Sequence, residues 1–388
     1  MLIKHRAFII LVMLLSLNLK SYAIDRVRIG LLSLGHPHSL TVTVCEGEYE
    51  VVAGEESIVL NQYDNVLINM AGEKILVSTR LNNTILVDSV FLQAVDTGAC
   101  FSVRNHFRSV DSREYYGDLI VKADIEALLA INKVEADIYL AGVVQSEAGF
   151  KGNIEYFKTQ ALLARTYMYL NINRHVQDGY HLCDKTHCQV YHGRSVVAVI
   201  NEAVIATANQ VLADKDSLLV FTPFHSNCGG QTESSENVWL TSMPHLRGVT
   251  DPYCAYSNNA SWIREIDLRE WIAYLRAHGY RHRNNEDLVY QQSGRKRYYS
   301  AGDFSYPFTR LREDWALKSS FFSVSLDDST VILKGRGYGH GVGLCQEGSM
   351  VMAARGFKME EIISFYFRDL HILNINDVRP SLEINSAF

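Results

Sequence analysis

From Gly335 to Gly343 every second residue is glycine: Gly335-Arg336-Gly337-Tyr338-Gly339-His340-Gly341-Val342-Gly343. Side chains alternate sides along an extended chain, so this spacing leaves one face of a strand bare. Either a flat ligand or another stretch of backbone fits against such a face, the second option being a tightly packed strand crossing. The stretch is not a phosphate loop, because no Gly-Lys-Ser or Gly-Lys-Thr follows, and its alternation does not fit a dinucleotide fingerprint. His340 and, beyond the last glycine, Gln346 are the polar side chains it offers to a cleft.

The rest of the chain divides by pattern. Residues 26–124 alternate short β-branched runs with turns such as Gly54-Glu55, Ala71-Gly72-Glu73 and Asn82-Asn83, the signature of an antiparallel sheet or partial barrel. The character changes near Asp137. Ile154, Phe157, Ala161, Ala164 and Met168 recur at helical spacing, which predicts a helix from Ile154 to about Arg174. Residues 196–213 read as a second helix, 221–226 as a strand, 268–277 as a helix and 359–367 as another. Residues 279–310 are polar and irregular. The fold class is α+β, a β-rich N-terminal part joined to a mixed helix/strand core. With six prolines and no Pro-rich linker, one composite fold is expected.

Residues 1–23 have the layout of a cleaved secretory leader. Lys4, His5 and Arg6 precede the apolar run Ala7 to Leu15, and Ser21-Tyr22-Ala23 supplies small residues for cleavage. The run is short for a membrane span, although a retained anchor is the alternative. The expectation is an exported protein, periplasmic or at the cell surface. The formal charge is −6, and loss of Lys4, Arg6 and Lys20 makes the chain more acidic. General nucleic-acid binding is therefore a poor fit. Seven cysteines leave an odd thiol in an oxidising compartment, free or on a metal.

Four more constellations carry chemistry. Glu147 ends the apolar stretch Ile138 to Ser146 just before the 154–174 helix, where partial burial would lift its pKa toward that of a working general acid; the plain alternative is a helix-capping glutamate. Lys158, Gln160, Arg165 and Thr166 lie on that helix among small and apolar positions. They either hold substrate or tie the helix to the sheet. Cys183, His187 and Cys188 form a tetrahedral ligand set with either His181 or His175; a Cys183–Cys188 disulfide is the alternative. His225, Ser226, Gly229, Gly230 and Thr232 surround a tight Gly-Gly turn suited to close approach by a ligand. Adjacent His225 and Ser226 point to opposite faces of a strand, which argues against a nucleophile–base pair.

In this order the segments 138–167, 183–191, 224–253 and 335–367 resemble the stage II sporulation protein D (SpoIID/LytB) family. The blocks that carry the resemblance are Val143 to Glu147, Gln160-Ala161 with Ala164 to Tyr167, His187 to Tyr191, Ser226 with Gly229 to Thr232, and Gly337 to Gly343. It spans roughly residues 115–370 and implies a catalytic domain there with a long substrate cleft. A β-rich region at 24–114 precedes it and a tail at 371–388 follows. The resemblance implies a lytic transglycosylase acting on peptidoglycan strands of alternating GlcNAc and MurNAc, preferably without stem peptides. Glu147 would be acid and then base, producing 1,6-anhydro-MurNAc ends. It further implies substrate contacts from Lys158, Gln160, Arg165, Thr166, His225, Ser226, Gly229, Gly230, Thr232, Tyr338, His340 and Gln346. A structural zinc would sit on His175, Cys183, His187 and Cys188, with His175 a better fit than His181. Ala148-Gly149 depart from the Met and Pro that many members carry after the glutamate. A Cys228–Cys254 disulfide would suit an exported chain. The family also contains enhancers of an autolytic amidase, so the second expectation is a non-catalytic glycan binder that stimulates a wall amidase. A Ser or Cys hydrolase using His225/Ser226 or His340/Cys345 is the third.

Overall fold

The computed structural model describes residues 24–79, 84–106, 112–281 and 284–379. The leader assigned to residues 1–23, and residues 380–388 of the tail, lie outside the described residues.

Two sheets make up the N-terminal part. One orders the strands Leu182–Cys183, Arg26–Gly30, Ala127–Glu135, Asp118–Asp124, Ser89–Ala94, Tyr49–Ala53 and Glu56–Leu60. The other orders Arg113–Tyr116, Cys100–Asn105, Ser39–Glu46, Asn65–Ala71, Lys74–Thr79 and Thr84–Val87. Period-2 patterning turns Leu40, Val42, Val66, Ile68, Ile75 and Val77 of one sheet, with Val27, Val90, Leu92, Leu119 and Val121 of the other, into one buried core. All pairings in these sheets are antiparallel except one. Arg26–Gly30 lies beside Ala127–Glu135 on one side and pairs in parallel with Leu182–Cys183 on the other. That parallel step attaches the Cys/His loop to the sheet edge.

The chain passes from Ala127–Glu135 straight into helix α1, Ala136–Ala148. Helix α2, Ile154–Leu170, starts at Asn153, whose side chain accepts the Tyr156 N–H. It ends earlier than the spacing predicts: Asn171 caps it, and Asn171 and Asn173 favour turns over helix. The helix expected over 196–213 is two elements. Helix α3 covers Ala198–Ala206, Asn209 takes a left-handed φ of 59°, and Gln210–Ala213 is a strand paired with His371–Asn374. Asparagine tolerates that φ, so the apolar run folds back on itself. The start of the segment assigned to a tail thus belongs to the fold.

A short helix α4 covers Ser235–Val238. A second core then forms around the antiparallel strands Ser261–Asp267, Thr330–Arg336 and Phe322–Asp327, with α5, Leu268–Ala277, and α6, Phe308–Asp314. Trp262, Trp271, Tyr299, Phe308 and Phe322 fill it. Asp267 caps α5 by accepting the Arg269 and Glu270 N–H groups, and the helix spans the residues its pattern indicates. The polar stretch 279–310 contains a hairpin, Tyr298–Ala301 with Phe304–Pro307. Helices α7, Gln346–Ala354, and α8, Met359–Tyr366, return to the main core.

Candidate functional site

Glu147 is not placed before a helix; it is the penultimate residue of α1, because the apolar run preceding it is itself helical. A cap at the positive end of a dipole is therefore excluded. At the C-terminal end the dipole disfavours a carboxylate. The last turn of α1 presents three acceptors to the segment beyond the Cys/His loop. Gln145 Oε1 accepts the Val196 N–H at 2.8 Å, Ser146 Oγ accepts the His192 N–H at 3.0 Å, and Glu147 Oε1 accepts the Val190 N–H at 2.8 Å. Gly142 makes that approach possible, since a Cβ there would lie 2.2 Å from the Gly193 carbonyl oxygen.

The Glu147 carboxyl is half-buried, and burial raises its pKa while the Val190 N–H opposes the rise. Its Oε2 has no hydrogen-bond partner among the described residues. No ion pair of Glu147 forms among the described residues either. Its main-chain carbonyl accepts the Gln346 amide at 3.0 Å, which fixes the helix end to the start of α7. The arrangement is a carboxyl biased toward its protonated form with one oxygen unengaged, chemistry suited to giving and retaking a proton.

Two residues before Val190, the ligand atoms of His175, Cys183, His187 and Cys188 lie within 4.8 Å of one another. His187 Nδ1 is 3.4 Å from His175 Nε2, 3.8 Å from Cys183 Sγ and 3.6 Å from Cys188 Sγ. Asp178 Oδ2, 2.9 Å from His175 Nδ1, orients that ring as an outer carboxylate does around a metal. A hydrogen bond from the Cys188 thiol holds the Cys183 thiol below its ordinary value. Two nitrogens and two sulfurs so converged fit a four-ligand metal. His181 is not among them, as its Nδ1 accepts the Arg28 N–H at 3.2 Å.

The glycine stretch is not a bare extended strand. Gly337, Gly339, Gly341 and Gly343 all have positive φ, from 74° to 111°. The face they clear is filled by protein. A Cβ on Gly337 would lie 2.5 Å from the Asn227 carbonyl oxygen, on Gly339 2.8 Å from His225 Cβ, and on Gly343 2.2 Å from the Pro223 carbonyl oxygen. Residues 223–229 therefore cross the stretch directly. In this crossing the Val342 N–H donates to His340 Nδ1 at 3.1 Å, so His340 Nε2–H donates to the Phe224 carbonyl at 2.9 Å. Burial pushes its pKa down to about 4. His225, buried at 4% exposure, uses Nδ1 on the Val342 carbonyl. Neither histidine has the geometry of a base for Ser226 or Cys345. Tyr338, 45% accessible, is exposed at this crossing.

Most of the other expected contacts have their polar atoms engaged in the framework. Arg165, 2% exposed, donates to the Thr207 and Val204 carbonyls and pairs with Asp137, holding α1, α2 and α3 together. Thr166 donates to Leu162 and accepts the Leu212 N–H. Lys158 pairs with Glu155 at 3.1 Å, and Thr232 Oγ1 accepts the Val249 N–H. Gln160 is buried and its amide nitrogen has no protein partner among the described residues. A Cβ on Gly229 would meet Arg336, whereas Gly230 faces open space. The Ser226 carbonyl accepts the Glu347 N–H.

Other carboxylates are engaged elsewhere: Glu233 with Asn237 and Glu236 with Arg247. Glu347, which the sequence does not single out, accepts from Asn227, Ser257 and Asn259. The Val190 N–H has no side-chain signal by which sequence could find it. A second convergence is also new: Cys228, Asp251, Cys254 and Cys345, all buried, with ligand atoms within 4.8 Å of one another. Cys228 and Cys254 are free thiols with sulfurs 3.3 Å apart, and not the disulfide expected from compartment.

Comparison with known proteins gives a consistent picture. The family model described as Stage II sporulation protein matches residues 124–213, which hold α1, α2 and the Cys/His loop. An uncharacterized protein of Brachyspira hyodysenteriae is 26% identical over 330 residues, 81% of this chain and 89% of that protein. Stage II sporulation protein D of Bacillus amyloliquefaciens is 25% identical, covering 63% of this chain and 75% of that protein. An amidase enhancer of Bacillus subtilis is 27% identical over 59% of this chain, but only 39% of that protein is covered.

Proposed function

The chain belongs to the SpoIID family through residues 124–213, and from that premise we propose that it is an exported lytic transglycosylase of peptidoglycan glycan strands, with Glu147 as its acid and base. The observation that carries the reading is the half-buried Glu147 carboxyl, lifted in pKa by burial and held through one oxygen by the Val190 N–H. Protonated, it gives its proton to the glycosidic oxygen as the bond from that oxygen to C1 of the muramic residue breaks. The carboxylate then takes the proton of the 6-hydroxyl, whose oxygen closes on C1 to form the 1,6-anhydro ring, and the acid is restored. No water is consumed, so one carboxyl suffices. The exposed ring of Tyr338 is a surface for stacking a sugar.

His175, Cys183, His187 and Cys188 would hold a structural zinc that fixes the loop leading to Val190. Mutating Cys183 and Cys188 to serine should remove about one zinc per chain. A zinc content unchanged from wild type would refute the assignment.

The mature protein incubated with glycan strands, with and without stem peptides, should yield anhydro-muramic ends by mass spectrometry. Glu147→Gln should yield none. The likeness to an amidase enhancer supports a second reading, a binder that stimulates a wall amidase. Bound but uncut strands, with faster cleavage by an added amidase, would replace the first reading with this one.

A further inference from the structure

Asp251 is fully buried. Its Oδ2 lies 3.2 Å from Cys228 Sγ and accepts the Tyr366 hydroxyl at 2.9 Å, while Oδ1 accepts the Tyr253 N–H at 2.8 Å. No ion pair of Asp251 forms among the described residues. A buried carboxylate among thiols and a phenol is costly unless a positive charge reaches it.

Three sulfurs surround the same point. Cys254 Sγ is 3.3 Å from Cys228 Sγ, and Cys345 Sγ accepts two backbone N–H groups, from Cys228 at 3.3 Å and Gly348 at 3.4 Å. Cys345 Sγ also faces the Ser226 carbonyl at 3.9 Å as a thiol donor, so metal binding would have to displace its proton, and it caps α7, whose positive end favours the negative charge that results. Buried Arg295, which donates to the Cys228 carbonyl at 2.8 Å, supplies further positive potential. A Cys228–Cys254 disulfide would use two of these groups and leave Cys345 and Asp251 without a purpose.

We propose that Cys228, Cys254, Cys345 and Asp251 form a second metal site, taking one thiophilic divalent cation, zinc, in a tetrahedral set of three sulfurs and one oxygen. The four ligand atoms lie within 4.8 Å of one another, close enough for small side-chain adjustments to form such a tetrahedron, in which zinc–sulfur bonds of about 2.3 Å place the sulfurs a little under 4 Å apart. Binding displaces the thiol protons to solvent. Tyr366 O–H, Tyr253 N–H, Cys228 N–H and Gly348 N–H provide the outer shell that orients ligands.

The site would join three distant segments: the Gly-Gly turn, the 251–254 loop and the start of α7. Cys345 directly precedes Gln346, which holds the Glu147 carbonyl. The second metal would thus anchor the crossing on which the catalytic helix end rests, without touching substrate.

The test is native mass spectrometry and metal analysis of the full chain, purified after export without chelator. Wild type should carry about two zinc ions and Cys183→Ser/Cys188→Ser about one, held at the second site. Cys254→Ser/Asp251→Asn should lose one relative to wild type. If the first group binds nothing, wild type carries one zinc that persists in Cys183→Ser/Cys188→Ser, which separates failure of that assignment from failure of this one. A folded Cys183→Ser/Cys188→Ser chain without zinc overturns the proposal. So does a chain lighter by two hydrogens with Cys228 cross-linked to Cys254. Should the aspartate variant fail to fold, cobalt added to metal-free Cys183→Ser/Cys188→Ser must produce sulfur-to-cobalt charge-transfer absorption in the near ultraviolet. Absence of that band also overturns the site.

Discussion

The last turn of α1 and the glycine crossing meet through Gln346, yet they treat polar groups in opposite ways. At the crossing, each ring nitrogen of His340 is engaged and the cleared faces of Gly337, Gly339 and Gly343 are filled by residues 223–229. At the helix end, Glu147 keeps one carboxylate oxygen unengaged and has only burial and a single N–H to set its charge. At the crossing His340 has both ring nitrogens committed to position, whereas the helix end leaves one carboxylate oxygen open. Conspicuous motif residues are thus of two kinds, and the geometry separates them.

The largest expected effect tests the helix end. Glu147→Gln keeps the Val190 hydrogen bond through its amide oxygen but cannot pass a proton, so glycan cleavage should fall by about 10²–10⁴-fold with far-UV circular dichroism unchanged. Activity within a factor of a few of wild type would break the comparison.

Gly343→Ala tests the crossing. Its Cβ would lie 2.2 Å from the Pro223 carbonyl oxygen at a φ of 74°. A stability loss of at least about 3 kcal/mol is expected in urea unfolding. A loss under about 1 kcal/mol would show that the crossing yields.

Smaller effects sharpen the contrast through pH. The native His340 imidazole holds out against a proton down to about 4, against an ordinary 6.5. Between those values the unfolded chain binds more protons than the native one, so stability rises with pH across that window and is lost as pH falls. His340→Gln should flatten that slope, measured by urea titrations at several pH values. An unchanged slope would mean that His340 is not enclosed.

Glu147 has the opposite sign. Its raised native pKa means that the native chain binds more protons above the unfolded glutamate value of about 4.3, so ionisation costs stability as pH rises. Glu147→Gln should match wild type at lower pH and melt above it near neutrality. Coincident melting at both ends would remove burial as the cause of the shift.

How much of this was legible depends on whether the interaction is local. Helix α5 was readable because Asp267 and the apolar spacing lie within a few residues. The Cys/His loop was readable as a group, but choosing between His175 and His181 required knowing that the distant Arg28 N–H occupies His181. The glycine alternation signalled a bare face for either a ligand or a close crossing, while the choice of crossing, its left-handed φ values and its partner segment come from tertiary packing. The break at Asn209 depends on pairing with residues 371–374. The buried thiol–carboxylate cluster was legible only as the pair Cys228 and Cys254, since Asp251 carries no spacing signal and Cys345 arrives from a segment far along the chain.

The bond from Gln346 to the Glu147 carbonyl spans 199 residues. A growing chain carries its acid long before it carries the clamp that completes the helix end, so assembly of the site waits for the C-terminal portion. A fragment stopped before Gln346 would keep the glutamate and the Val190 contact but lack this tie. On the proposed function, the helix end that carries Glu147 would be completed last, and a nick that releases α7 would remove its tie.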